Sequence, residues 1–302
     1  MSGNLAEKGN KFYIFQKRKP EMAHNWFIEK IASEHCYVKE NDYAIFRGER
    51  NLAFLEAIQS GKYELLKSAE IEYKRKDARV PVFATPSFVV ALCYAFYNWS
   101  ENTREIEQIR GFKNKPIVFC FIKPRILRKG LRNVFFYPDN EVIIDLAKSP
   151  EYYYVMDDEI YEYDRIVDDF FQKLGEIFGK STYTIQDYLK TITKVYRNPI
   201  YYFLRRYEEY VDYLVLTKNL AGLQKVLKIA ETERFLKQKV DAEIFKKYET
   251  VIDYIIDSDD GKVVILVNPS AIKLNPNYSR AFELFKSMLD KNGINYKTKN
   301  LW

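Results

Sequence analysis

The alternation of apolar and polar positions divides the chain into an α/β half, a helical stretch and a short α/β return at the end. Ahead of the main pattern, Lys11–Gln16 reads as a short strand and Glu21–Ser33 as a helix. Tyr43–Arg47 is a β-type apolar run. From Asn51 the spacing turns helical, with Leu52, Leu55 and Ile58 on one face and Gly61 as the C-terminal stop. Val80–Thr85 reads as a strand, and Ser87 caps a helix from Phe88 to Trp99. Further strands are expected at Pro116–Ile122, Val142–Leu146, Glu151–Met156 and Ile160–Ile166. From Asp168 to Ile256 the spacing is helical and glycine is sparse, with a helix boundary at Pro199. Val263–Val267 reads as a buried strand, Tyr278–Asn292 as a helix stopped by Gly293, and Ile294–Tyr296 as a last strand. The organisation expected is an N-terminal extension at 1–36, an α+β domain at 37–167, a helical region at 168–256 and a small α/β unit at 257–302.

Composition narrows the class. Hydrophobic residues make up 47% and charged residues 30%, enough for a sizeable core and too apolar for a disordered chain. Aromatics reach 16%, led by 25 tyrosines, whose apolar rings and polar tips suit grooves as well as cores. The balance of 48 basic against 42 acidic residues, +6, permits an anionic partner without demanding one. Three cysteines without a CxxC pair and only two histidines argue against a disulfide framework, a zinc ribbon or a histidine-built metal centre. These features, and a start without an apolar signal region, lead to the expectation of a reduced, cytoplasmic protein. Residues 80–100 carry no charge and are long enough to span a bilayer, but Pro81 and Pro86 interrupt them, so the stretch is read as buried core.

Candidate chemistry sits in four elements in a fixed order. Arg47-Gly48 ends the first strand, and its helix ends in Gly61. Phe83-Ala84-Thr85-Pro86-Ser87 ends the second strand and opens a helix carrying Tyr94. Pro116–Ile122 is an apolar strand. Glu151-Tyr152 starts a tyrosine-rich one. An arginine beside a glycine offers a bidentate contact to a pyrophosphate with room for the ligand backbone. A serine at a helix start can hold a ribose while the helix N–H groups face an anion. A carboxylate can stabilise an oxocarbenium-like centre. Each residue also has a structural alternative: Arg47 as a partner of Glu49 or Asp42, Ser87 as a helix cap, Phe83 and Tyr94 as core, and Glu151 as an exposed strand start.

In this order the four elements resemble the ADP-ribosyltransferase family, over about residues 40–166. The resemblance implies a split β-sandwich and NAD as substrate, with Arg47, Gly48, Phe83, Thr85, Ser87 and Tyr94 lining its site. Glu151 would be the catalytic carboxylate, with Glu159 as its competitor, and the acceptor would be a macromolecule, protein or nucleic acid. Ser149 stands where arginine-modifying members carry Glu or Gln, so a target other than arginine is implied.

Basic residues raise a non-enzymatic alternative. Lys123, Arg125, Arg128, Lys129 and Arg132 form a run without an acid. Tyr196, Arg197, Tyr201, Tyr202, Arg205, Arg206 and Tyr207 interleave basic and aromatic side chains, the composition of single-strand nucleic-acid binders, within helices at 188–247. The competing reading is a solvated helix face with inward tyrosines. The acidic run Asp157–Asp169 fits no EF-hand spacing.

Overall fold

The computed structural model describes residues 44–63, 80–96, 114–128, 142–149, 151–194, 199–241, 244, 252–256 and 263–300. The strand and helix expected at 11–16 and 21–33 lie outside these residues, as do Lys129 and Arg132 of the basic run. The molecule mixes helix and sheet, the α+β class expected.

Strands β1 (Ala44–Asn51), β3 (Asn114–Ile122) and β6 (Tyr152–Val155) form one antiparallel sheet in the order β1-β3-β6. Strands β2 (Pro81–Ala84), β4 (Ile126–Arg128) and β5 (Val142–Asp145) form a second, in the order β2-β5-β4. Among the described residues the sheets meet at one bridge, Phe46 to Thr85, where each backbone N–H donates to the other's carbonyl at 2.7 and 2.8 Å. Helix α1 (Leu52–Ser60) follows β1 and ends where Gly61 takes φ +67°, the left-handed stop its position predicts. Helix α2 (Phe88–Phe96) follows β2.

Alternation along β1 gives each sheet face its own core. Ala44 and Phe46 belong to a large core shared with α2, while Ile45 belongs to a smaller core with Phe54, Val82, Phe119, Phe121 and Ile144. Helix α2 is buried along nearly its whole length, as its uncharged sequence requires, and it lies directly against β1. Gly48 makes that approach possible: a Cβ there would stand 1.8 Å from the Ala91 carbonyl oxygen and 2.6 Å from the Ala95 nitrogen.

Helices α3 (Asp158–Ile177), α4 (Ile185–Lys194), α5 (Pro199–Leu216) and α6 (Leu220–Lys239) cover the α2 side. Helix α3 overturns the strand expected at Ile160–Ile166. Its buried positions Ile160, Tyr163, Val167, Phe170, Phe171 and Leu174 recur every three to four residues, a helical period that the β-branched and aromatic residues disguised. The expected boundary at 167/168 falls inside this helix. A third sheet, in the order β7-β8-β9, comprises β7 (Ile252–Ile256), β8 (Val263–Val267) and β9 (Tyr296–Asn300). Helices α7 (Pro269–Leu274) and α8 (Pro276–Lys291) connect β8 to β9, and those two strands are parallel. β7 corrects the helix expected to reach Ile256. The large core continues through α3–α6 into Val263, Ile265, Val267, Phe285 and Leu289, so the C-terminal unit packs on the same core as the first sheet.

Adding a methyl group at position 48 pushes against backbone, which cannot move aside as a side-chain tip can. Gly48→Ala is expected to destabilise the protein by about 3 kcal/mol or more, the upper range for overpacking, measured as a lower urea midpoint with the slope unchanged.

Candidate functional site

β1 runs on to Asn51, so Arg47 and Gly48 lie inside the strand and not at its expected end; they do come together with the residues at the end of β2, but they face one another. The Arg47 side chain is 13% exposed and that of Glu49, two residues on and on the same strand face, 11%. Arg47 Nε donates to Glu49 Oε1 at 2.7 Å, and Nη2 closes the ion pair with the same carboxylate. Nη1 donates to the Phe83 carbonyl across the gap between the sheets, and the guanidinium lies 4.8 Å from the Phe54 ring centre. The structural partner anticipated for Arg47 is therefore present. The space expected beside Gly48 for a ligand backbone is filled by α2.

Ser87 is 2% exposed and Thr85 5%. Ser87 Oγ accepts from the Val90 N–H at 3.1 Å, which makes it the cap of α2, and Thr85 Oγ1 accepts from the Ser87 N–H at 3.1 Å. The anion at this helix start is the protein's own. Asp212 of α5, 3% exposed, accepts at one oxygen from Ser87 Oγ (3.1 Å) and from the Val89 N–H (2.9 Å). The helix N-terminus thus attracts a negative charge, as its dipole requires, and a carboxylate 125 residues along the chain supplies it. Asp212 was not among the sequence candidates; its signal is one acid inside the apolar run Tyr210-Val-Asp-Tyr-Leu-Val215. Phe83 and Tyr94 are half-buried, Tyr94 against the large core.

Glu151 is exposed just before β6, and its carbonyl accepts from the Ile122 N–H at 3.0 Å. The strand register fixes its face. Arg47 is opposite Phe119, and Phe119 is opposite Tyr154; Ile45, Phe121 and Tyr152 line up in the same way. Those residues share one face of the sheet. Glu151, level with Ile122 and adjacent to Tyr152, falls on the other by alternation. Glu159, in the first turn of α3, is exposed and lies 3.5 Å from the Tyr163 hydroxyl.

No family model, curated protein or solved structure matches the chain.

The basic and aromatic helices place their described rings inward. Tyr188, Tyr207 and Tyr210 are buried, Tyr188 stacked on Phe171 at 4.5 Å and Tyr207 against Phe203 at 4.8 Å. The side chains of Tyr196, Arg197, Tyr201, Tyr202, Arg205 and Arg206 lie outside the description. Among the described residues no helix is long and apolar enough to cross a membrane, and no group of three or more potential ligands could hold a metal ion.

Burial dominates the electrostatics on the α2 side. It pushes the Cys93 thiol well up, and the carboxylates of Asp164 and Asp212 add to that shift. Tyr163 is raised by burial and by Glu159. Asp164 of α3 is raised from 3.8 to about 6, first by burial and then by Asp168 one turn along, and its Oδ1 is buried without a hydrogen bond. A carboxyl raised on folding adds stability that is complete below its unfolded value and is lost as pH rises to the folded value. Stability should therefore fall between about pH 4 and pH 6 through this group. Asp164→Asn should remove that component, stabilising the protein at pH 7 but not at pH 4, as read from urea midpoints at the two pH values.

Proposed function

We propose that this chain is a non-enzymatic interaction protein built on an ADP-ribosyltransferase-like split sandwich, and that Arg47, Ser87 and Glu151 do not work together on NAD. The observation that carries this reading is the register of the first sheet, in which Arg47 and Glu151 occupy opposite faces. ADP-ribosyl transfer needs the pyrophosphate grip and the carboxylate on one bound molecule, the first holding the leaving side and the second meeting the positive charge that develops on the ribose. A sheet between the two groups prevents that. The polar groups of the same neighbourhood are also spent internally: Arg47 on Glu49 and the Phe83 carbonyl, Ser87 on Asp212 and its own helix.

A second reading, NAD-dependent ADP-ribosyl transfer to a protein or nucleic acid, is favoured by one feature. Two three-stranded sheets that touch at the Phe46–Thr85 bridge are in keeping with the split sandwich that the resemblance implies. On this reading Arg47 exchanges Glu49 for the pyrophosphate when NAD binds, and the carboxylate comes from a position other than Glu151 or from a rearranged β6.

Incubation of the purified protein with NAD labelled in the adenine ring separates the two. The expected result is no nicotinamide release above the protein-free blank and no label on protein or added RNA, in the wild type and in Glu151→Ala alike. Release by the wild type overturns the first reading, and its loss in Glu151→Ala returns the catalytic role to that residue.

A further inference from the structure

Helices α3 and α6 lie side by side and run in the same direction. Near their starts Lys218, just ahead of α6, pairs with Glu162 of α3. Near their ends Arg234 Nη1 of α6 donates to the last carbonyls of α3, at Glu176 and Ile177. The two helices are of opposite charge. Helix α3 carries seven acids against two bases, and α6 five bases against two acids, one of which, Glu233, is buried. Toward solvent α3 presents Asp158, Asp169 and Glu176, and α6 presents Lys225, Lys228 and Lys239. One face of the molecule thus has an acidic half beside a basic half.

Apolar side chains punctuate this charged face. Tyr161, in the first turn of α3, is 50% exposed, and Leu220, the first residue of α6, is 57% exposed. Single exposed apolar residues are ordinary, but these two lie at the same end of one helix pair. Phe235, near the end of α6, is half-buried yet belongs to neither core, and the Lys239 ammonium lies 5.7 Å from its ring centre. Leu220, Gln224, Lys228 and Phe235 follow one stripe of α6 by helical spacing. Each helix has 20 residues and is about 30 Å long. At the usual spacing the pair is about 20 Å wide, so it offers roughly 600 Å² to a partner. Two such faces together bury about 1,200 Å², the lower edge of specific interfaces.

A partner for this face must answer both signs at once. A nucleic acid laid along α6 runs beside the acids of α3, and an acidic protein meets the same repulsion. A second copy of this chain supplies both signs from the same face. We propose that two copies associate here, α3 of one over α6 of the other, about a two-fold axis lying between the helices and parallel to them. Rotation about that axis exchanges the two helices and keeps their direction. Acids then meet bases in both halves, and the contact closes on itself as a dimer. The same rotation gathers Tyr161 and Leu220 of both copies at one end of the interface. A two-fold axis running across the helices sets α3 on α3, like charge on like. The modest area and the exposed position of the charges make this a weak dimer, with a Kd in the micromolar range.

Sedimentation velocity of the full-length protein tests this. At about 50 mM salt the wild type should be largely dimeric at about 100 μM and monomeric at about 1 μM, and about 500 mM salt should weaken association at least about tenfold by screening the charges. Lys225→Glu with Lys228→Glu makes the face acidic throughout, and Asp169→Lys with Glu176→Lys makes it predominantly basic. All four side chains are exposed, so circular dichroism should match the wild type. Each double variant alone should be monomeric at about 100 μM, and an equimolar mixture should restore the dimer, because the acidic face of one then meets the basic face of the other. Leu220→Asp should weaken association at least about tenfold, the scale of a lost apolar contact combined with an added repulsion. A wild type that stays monomeric at about 100 μM in low salt overturns the proposal, as does a dimer that neither double variant weakens or a mixture that stays monomeric. A monomer that instead binds single-stranded RNA through Lys225 and Lys228 assigns the face to nucleic acid and overturns it as well. None of these residues is changed in the transfer assay, so the two outcomes are separate.

Discussion

Strand β1 can serve two cores only because nothing projects from position 48. Helix α2 rests with its Ala91 carbonyl where the first atom of any side chain there would stand. That approach places Ser87 and the start of α2 beside the end of β2, and it brings Phe46 and Thr85 within backbone hydrogen-bonding distance. The Phe46–Thr85 bridge then ties the first sheet to the second. The large core grows from the α2 face and the small core from the Ile45 face. Arrangement of both sheets thus follows from one close contact between a helix backbone and a strand backbone.

The same contact decides how the polar residues nearby are used. With the sheets drawn together at the bridge, Arg47 is too buried to remain unpaired, since a desolvated guanidinium without partners costs several kcal/mol. It takes Glu49 from its own strand and the Phe83 carbonyl from the neighbouring one. The burial of α2 likewise leaves its first N–H groups without water, and Asp212 satisfies Val89 while Ser87 satisfies Val90. A side chain that completes the internal hydrogen bonding of a core is a poor instrument for binding a substrate, because the substrate has to replace every bond it breaks. The residue types are those a nucleotide site would use, and their burial turns them to a structural purpose.

Much of this was legible in the sequence and some was not, for identifiable reasons. Gly61 after a helical run, Ser87 before one and the uncharged stretch around Val90 each carry a local signal, and each sits where that signal puts it. Helix α3 was misread in its first two turns because Ile160, Tyr163, Ile166 and Val167 favour strands by type, although the buried subset keeps a helical period. Whether Arg47 and Glu151 share a face could not be read from the chain at all. It depends on the pairing of β1 and β6 with β3, and a shift of one residue in either ladder reverses the answer. Asp212 and Asp145 were missed because each is a lone acid in an apolar run, and its partner lies far away in sequence, 125 residues for Ser87 and 65 for the Val80 N–H.

Asp145 and Arg47 also explain how so short a strand as β2 holds its place. Four residues beginning with a proline make few ladder hydrogen bonds, and proline removes one donor outright. Charged side chains compensate at both ends. Asp145 takes the Val80 N–H at the start, Arg47 takes the Phe83 carbonyl near the end, and the bridge at Thr85 lies just beyond. Hydrogen bonds to charged groups are about twice as strong as neutral ones, so two of them at the ends of a short strand anchor it where ladder bonds are few. The two anchors differ in how firmly their charges are balanced. Arg47 is closed in by Glu49 and the Phe54 ring, whereas among the described residues Asp145 is faced by Arg125 at ion-pair distance. The start of β2 is therefore the end at which a change in charge has the greater effect.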